Sequence, residues 1–583
     1  MLKRVTKTQL ILLILYSSIN YAQTFNLVQE YSTFWGGNNR DGCFVQVDKE
    51  GFIYCMGETN SSNLPTTPGA FDSTLNGESD LYISKLSPDG KTLVYSTYLG
   101  GNGNEGHTWF MKVDNDGCVY ILGGTTSSDL PVTDNAIDST YNGNLDLFIV
   151  KLNASGSGLL YCSYFGGSAD EMPADIEYDD SGIIYISALT KSDDIPVTLN
   201  AYNKIRSNDN DVIVVKIDPT QDEPLYSTFV GGANSGKLAI DKNGNCLVTI
   251  VASRNNNLPT TDSVFGKQYY GGDTDVYILK LNSSGSDIIF ATFLGGGGYD
   301  SAGDLKLDSD GNLVLYGITY SSDFPTTPGV YNRSYVGNKQ NLFITKIGSN
   351  ANRIICSSFF LGSFDGYMET MELDSRDNIY LTIIAQSSNL PCSGNSFDVT
   401  FNGGTDGYFM MVDPELTKTN YSTYIGTDGR EYVFAAPGPD CVYLSGASTS
   451  ADFPVTEDCY FPEYVGGERD GFIMKFNIDE TNAKEKNDYQ PTGFRLEQNF
   501  PNPFNPSTNI SYSLNESGQV KLEIFNSIGQ HIKTLVNDYQ TSGEYSIAWG
   551  SKDFSKYHLT SGVYFCSLSV NDQTYYKKMI LQK

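Results

Sequence analysis

Histidine is nearly absent. Of the three in 583 residues, His531 and His558 lie close to the C-terminus. A histidine-built zinc centre is thereby excluded, and a Ser-His-Asp or Cys-His arrangement in the long N-terminal part would have to use His107. That residue stands beside Trp109 in NEGHTWFMKVD, a context that reads as packing or surface. No CxxC pair occurs, so the usual cysteine signature of a metal or redox site is missing. Basic residues are scarce as well. The 38 Lys plus Arg face 68 Asp plus Glu, a net charge of -30, which would repel nucleic acid and anionic bilayers alike. Beyond the N-terminus no apolar run approaches the roughly 20 residues that span a membrane, so the mature chain is expected not to span one. What is abundant is glycine, 58 residues, and aromatic side chains, 13%. That composition suits strands and tight turns, and predicts an all-β protein.

Lys3, Arg4 and Lys7 precede the apolar run LILLILY and the segment SSINYAQ, the pattern of an export signal over residues 1–22 with a cut after Ala22. Ten cysteines are scattered along the chain, mostly within apolar strand-like runs, and read chiefly as small buried hydrophobes. Connectivity is not fixed by the sequence; Cys43 and Cys55, on neighbouring strands, are the candidate pair for a local bridge. The first cysteine, Cys43, lies well past the cut, which argues against an N-terminal lipid anchor.

One phrase is written seven times: YSTFWGG from residue 31, YSTYLGG from 95, YCSYFGG from 161, YSTFVGG from 226, FATFLGG from 290, SSFFLGS from 357 and YSTYIGT from 421. A second keeps step with it, from DLYISKL at 80 to DGFIMKF at 470. Between them come a short segment ending in an acidic turn (VQVDKEG, MKVDNDG, IEYDDSG) and a further strand (GFIYCMGET, GCVYILGGT). Each unit of about 65 residues thus holds four strands, A (VQVD type), B (GFIY type), C (DLYISKL type) and D (YSTYLGG type). Four-stranded units repeated radially make a β-propeller, because one unit cannot cover both of its own faces. Seven units predict seven blades over residues 23–477. The last lacks a D strand and the first D strand lacks an A, B or C before it, so residues 31–35 are expected to pair with 470–476 and close the ring.

Through YSTYLGG, VDxxG, the PTT loop of NLPTTPGAF and the DxFIxKL strand, residues 26 to 477 resemble the seven-bladed β-propeller (SBBP-type) repeat family of exported bacterial proteins. The resemblance implies the fold; the family has no single established activity. Residues 478–493 have linker composition. From 494 to 583, short alternating strands predict a small Ig-like β-sandwich. Here NFPNPFNPST (Asn499, Phe500, Pro501, Asn502, Pro503, Phe504, Asn505, Pro506), SGVYFCSL (Gly562, Tyr564) and KKMILQK (Lys577, Lys578) resemble the type A C-terminal sorting domain of the type IX secretion system. That resemblance implies the type IX machinery as partner, and delivery to the cell surface or the medium.

For chemistry, acids recur in the D-to-A crossings at Asp41, Glu105, Glu171, Asp300, Asp365 and Glu431, with GGANSGK breaking the series. Such a broken ring could take Ca²⁺ or a polyhydroxylated ligand; the same positions read equally as solvated loop residues or acceptors for backbone amides. The Asp that opens strand C, as in Asp80 and Asp146, reads as a hydrogen-bonded strand end. Tyr141, Tyr269, Tyr270, Tyr335 and Tyr464 in the B-to-C loops suit shallow recognition of glycans or proteins. No pair of carboxylates is singled out for catalysis and no cofactor is indicated. The expectation is a non-catalytic binding or adhesion module, the alternative a carboxylate-dependent polysaccharide hydrolase or lyase on the loop face.

Overall fold

The computed structural model describes residues 24–207, 209–232, 235–254, 258–362, 364–481, 494–496, 499, 504, 507–514, 517–526, 530–550, 559–571 and 573–581. Their regular elements are all strands. The expected export signal and residues 482–493 of the linker lie outside the described residues. The chain divides into two compact units, Phe25–Glu480 and one containing Thr481–Lys583.

In the first unit each repeat becomes one antiparallel sheet. Phe44–Val47, Ile53–Thr59, Asp80–Leu86 and Leu93–Leu99 pair in that order, and five further sheets starting at Glu105, Glu171, Ser235, Asp300 and Gly366 repeat it. A seventh takes three strands, Glu431–Gly438, Cys441–Ser448 and Asp470–Thr481, from one end of the unit and Thr24–Trp35 from the other. The orphan first phrase therefore supplies the missing D strand. Strand C of this sheet also runs to Thr481, into the stretch expected to be linker. The A strands touch in chain order and Glu431–Gly438 touches Phe44–Val47, so the sheets close a propeller-like circle. B strands such as Val119–Thr125 are buried along their whole length, because neighbouring sheets cover both faces. Each fully buried Val, Leu or Ile there contributes about 1.5–3 kcal/mol.

The first four letters of YSTYLGG each have a structural task. A Cβ on Gly156, in the C-to-D turn of the next sheet, would lie 2.2 Å from the Tyr95 ring, so that turn needs glycine both for the contact and for its φ of +67°. The Ser96 hydroxyl donates to Pro65 O at 2.7 Å, and the Thr97 hydroxyl accepts from Asp72 N at 2.8 Å. The Tyr98 hydroxyl donates to Ser61 O at 2.8 Å and accepts from Leu64 N at 3.1 Å. These bonds lay residues 65–72 along the outer strand, which would otherwise be an open edge inviting aggregation. The roughly 20 residues by which the unit exceeds a 40–45-residue propeller repeat are thus an edge cover. The seventh sheet keeps the device: Ser32 donates to Pro454 O at 2.6 Å and Phe461 N to Thr33 Oγ1 at 2.8 Å.

The acidic hairpins are turns. Asp48 Oδ1 accepts from Glu50 N at 3.0 Å and Phe52 N at 2.9 Å, while Oδ2 accepts from the Tyr54 hydroxyl at 3.1 Å. Cys43 and Cys55 are disulfide-bonded with Cα atoms 5.8 Å apart. The other eight cysteines are free, Cys162, Cys246, Cys441 and Cys566 among them buried.

In the second unit Phe494–Leu496, Ser507–Leu514 and Gly543–Gly550 form one sheet; His531–Gln540, Gly518–Asn526, Gly562–Val570 and Gln573–Leu581 form the other. Leu496, Ile510 and Trp549 from the first meet Leu522, Leu568 and Met579 from the second in one core, the packing of a β-sandwich.

Candidate functional site

The crossing acids are not displayed to solvent. Glu105, Glu171, Asp300 and Glu431 are 0% exposed and Asp41 2%. Each ties the end of its own strand B to the crossing. Glu105 Oε2 accepts from Gly101 N at 2.8 Å, and Oε1 from the Thr125 and Ser127 hydroxyls, both at 2.6 Å. Asp41 repeats this with Gly37 N, Thr59 and Ser61 at 2.6, 2.6 and 2.8 Å. Glu171 binds Gly167 N and Thr190, Asp300 binds Gly296 N and Ser321, and Glu431 binds Thr427 and Ser448. Asp365 differs: its half-exposed side chain pairs with Lys339. The expectation of a ligand-facing ring is therefore corrected, since five of its members spend their oxygens inside the fold. A signal for this was present. Where the acid is buried, strand B ends in Thr-x-Ser or Ser-x-Ser; in the fourth sheet, which has no acid, and the sixth, whose Asp365 turns outward, Ala252 and Ala385 occupy the Thr position.

Burial raises the carboxyls of Asp41, Glu171, Asp300 and Glu431 above their ordinary range, with the latch hydrogen bonds opposing. The aspartates opening strand C are strand-end acceptors, as expected: Asp80 Oδ2 takes Asn76 N at 2.8 Å, Asp146 Oδ2 takes Asn142 N at 2.7 Å, and Asp470 Oδ2 takes Val465 N at 2.7 Å. Burial pushes Asp80 and Asp146 up to about 6 and Asp275 and Asp470 up to about 7, with acid neighbours adding to it.

The loop tyrosines are largely architectural. Tyr141, Tyr269 and Tyr335 donate to Asn144 O, Gly272 O and Lys339 O at 2.7, 3.0 and 2.7 Å. Their rings, and that of Tyr464, pack on Tyr164, Phe293, Phe359 and Phe34 of the outer strands. Tyr270, 43% exposed, is the one of these five presented as a large exposed side chain. The side chains of His107 and Trp109 lie outside the described residues.

Two features escaped the sequence reading. The middle residue of strand A faces the axis, and Lys112 pairs with Glu177 at 2.7 Å while Lys306 pairs with Glu372 at 3.1 Å. Lys112, Lys306 and Glu372 line a narrow charged cavity with Phe44, Phe110 and Lys237; burial pushes Glu369 of the same strand as Glu372 up to about 8. Charges among the VxVD-type segments had no evident partner in sequence because their partners are one repeat away. The second feature is a cleft of about 410 Å³. The seventh sheet turns from A to B through Pro439 and Asp440 alone, with Gly438 paired to Cys441, in place of the longer acidic hairpin. The hairpins of the sheets on either side then flank a gap, lined by Asp48, Lys49, Asp374, Arg376, Tyr380 and Ile478.

Of the sorting motif, Asn499 is buried and donates from Nδ2 to Thr508 Oγ1 at 2.9 Å, while Phe504 is buried and bridges to Leu581. Tyr564 is buried, its hydroxyl donating to Thr560 O at 2.9 Å, Gly562 opens a strand at φ +151°, and Lys577 pairs in register with Cys566. Lys578 has its backbone paired to Phe565. Phe500, Pro501, Asn502, Pro503, Asn505 and Pro506 lie outside the described residues.

A propeller-like body and a β-sandwich define an all-β protein with an accessory C-terminal domain, and residues 498–582 match the family described as a secretion system C-terminal sorting domain. The protein is therefore one exported by the type IX secretion system, whose machinery it must meet, to the cell surface or beyond. No curated protein matches the chain. Among solved structures, a protein of unknown function from Dyadobacter fermentans is similar at 14% identity, covering 78% of this chain and 99% of its own, with TM-score 0.37. The β-propeller domain of the trilobed protease from Pyrococcus furiosus aligns at 9% identity over 76% of this chain and 97% of its own, TM-score 0.36. An oligogalacturonate lyase in complex with manganese aligns at 11% over 79% and 98%, TM-score 0.38.

Proposed function

We propose an exported binding module: a seven-bladed SBBP-type β-propeller, joined to an Ig-like sorting domain, that engages a glycan or surface protein without turning it over. Residues 1–22 carry it across the inner membrane, and the sorting domain takes it through the outer one. The observation that carries the binding role is the cleft beside the short hairpin of the seventh sheet. Features present in every repeat are architecture, and this cleft arises where one repeat departs from the rest. Lys49 and Arg376 beside three aspartates offer hydrogen-bond donors and acceptors, the mixture that shallow polar recognition uses. The alternative, a carboxylate-dependent glycan hydrolase or lyase, loses its best candidates, because the latched acids are closed to a sugar ring.

The test is a glycan array and a surface-protein panel with the mature chain, beside Lys49→Glu and Arg376→Glu variants. Saturable binding weakened at least about tenfold by either substitution is expected, a loss of roughly 1.4 kcal/mol. Turnover of a polysaccharide that is abolished by Glu105→Gln would overturn the reading. Delivery is tested separately: deleting residues 498–583 should leave the propeller in the periplasm, and undiminished secretion would refute the sorting role.

A further inference from the structure

The crossing acids and the strand-C aspartates meet in pairs across the seams between sheets. A Cβ on Gly166 would lie 2.6 Å from Asp146 Oδ1 and 2.9 Å from Glu171 Oε2. On Gly295 it would lie 2.3 Å from Asp275 Oδ1 and 2.9 Å from Asp300 Oδ2, and on Gly100 2.5 Å from Asp80 Oδ1 and 2.4 Å from Glu105 Oε2. Asp406 with Glu431 and Asp470 with Asp41 repel each other in the same way. Backbone amides and hydroxyls hold one side of each pair, while Oδ1 of Asp146, Asp275, Asp300, Asp406 and Asp470 is buried with no hydrogen bond of normal length and angle, the amides of Gly143, Gly271, Gly403 and Gly466 and the Thr319 hydroxyl standing nearby.

The two remaining seams supply the control. Where the crossing acid of the sixth sheet, Asp365, turns outward to Lys339, strand C of the fifth opens with Asn341, whose amide donates to Val336 O at 2.9 Å. Where the fourth sheet lacks one, Asp211 gains the Ser207 hydroxyl at 3.1 Å. The open oxygens fall in four of the five doubled seams; in the fifth, Asp80 Oδ1 accepts from Gly77 N at 3.2 Å. Two carboxylates in a dry seam are costly unless something positive joins them. Backbone oxygens converge there too: a Cβ on Gly143 would lie 2.2 Å from Ala169 O, 2.8 Å from Gly167 O and 3.0 Å from Asp146 Oδ1. Carboxylate and carbonyl oxygens close to one another are the kind of donor set a hard divalent cation takes, Ca²⁺ at about 2.3–2.6 Å.

The geometry points to calcium ions in these seams, each bridging the strand-C aspartate of one sheet and the crossing acid of the next, with Asp146–Glu171 and Asp275–Asp300 the best-formed sites. The ions would act as rivets between sheets, independent of any ligand in the cleft, so the inference stands or falls apart from the proposed function. Mature full-length chain, stripped with EGTA and exchanged into calcium-free buffer at pH 7.5, is titrated with CaCl₂ by calorimetry and melted with and without 1 mM Ca²⁺. Binding of two to five ions per chain and a rise of at least about 5 °C are expected. Tb³⁺ should give tyrosine-sensitised emission, since Tyr98 lies near Asp41 and Asp80. Asp275→Asn with Asp300→Asn, which imitates the neutral Asn341 seam, should lower the stoichiometry by one, and so should Asp146→Asn with Glu171→Gln. No bound ion at millimolar Ca²⁺, or unchanged stoichiometry in both folded double variants, overturns the proposal. A stripped chain stabilised by acid but indifferent to Ca²⁺ would show that protons hold the pairs, and overturns it too.

Discussion

Removing residues 26–37 should unlatch the seventh sheet. Thr24–Trp35 contributes Phe25, Leu27, Tyr31, Phe34 and Trp35 to buried positions, none more than 7% exposed. The deletion removes four of these and leaves Phe25; at about 1.5–3 kcal/mol for each large apolar side chain, the four amount to roughly 6–12 kcal/mol, an upper range because the unfolded chain already buries part of them. Trp35 alone packs against Phe461 at 4.9 Å, Tyr460 at 6.1 Å and Tyr82 at 6.2 Å, so it joins the cover of the seventh sheet to the first. Loss of the strand also frees the backbone edge of Asp470–Thr481. Calorimetry of the truncated mature chain should show the propeller transition lowered by at least about 10 °C, while that of the C-terminal sandwich stays put. Size-exclusion chromatography should show self-association through the freed edge. Trp35→Ala is the graded version, costing about 3–5 kcal/mol. A truncated chain melting within about 1 °C of the full one would refute the closure.

Reducing the Cys43–Cys55 bridge, or replacing both residues by Ala, opens a loop of sequence separation 12 and should cost about 2–3 kcal/mol in urea unfolding. Thr125→Val keeps the shape but withdraws a donor from buried Glu105, and should cost about 1–3 kcal/mol, whereas Ala252→Val, in a repeat without the acid, should not reproduce a lost-hydrogen-bond effect. In EGTA, stability should fall as pH rises. Asp80 and Asp146 at about 6 and Asp275 and Asp470 at about 7 are raised above the ordinary aspartate value, so the folded state holds their protons more tightly. Their contribution is full below about pH 4 and is lost between about pH 4 and 7, at up to about 1.4 kcal/mol per pH unit for each proton retained. A melting temperature that climbs steadily from about pH 4 to 7 without calcium would contradict it.

The strand order of the first unit was legible because period and phrase repeat, and even the missing D strand of the seventh sheet could be located by counting. The latches were half legible. The acids stood out as a series, but their direction did not, since a carboxylate in Asn-Gly-rich text looks solvent-bound until its partner Thr-x-Ser, some 20 residues on, is placed beside it. Pairing of Asp146 with Glu171 or of Lys112 with Glu177 was illegible for another reason: each joins two sheets, and sequence periodicity reports what recurs within a repeat, not which neighbour it meets. The cleft was hidden in FAAPGPD, where the informative fact is a shortened turn, and its consequence falls on residues of two other sheets.

Duplicated sheets meet at identical seams, so any side chain placed at a seam is written into every copy at once. A charge there is multiplied too, and each seam must neutralise it alone because the axis of the ring is narrow and already charged. Two seams have done so within the sequence, by Asn341 in place of an aspartate and by Ser207 beside Asp211. Five retain both acids, in a chain whose net charge is -30. A protein that works outside the cell meets calcium at concentrations the cytoplasm does not offer. Doubly acidic seams would therefore stay loose during passage through the cell and tighten on arrival, which places the stiffening of the ring after export and ties the electrostatics of the repeat to the route its C-terminal domain selects.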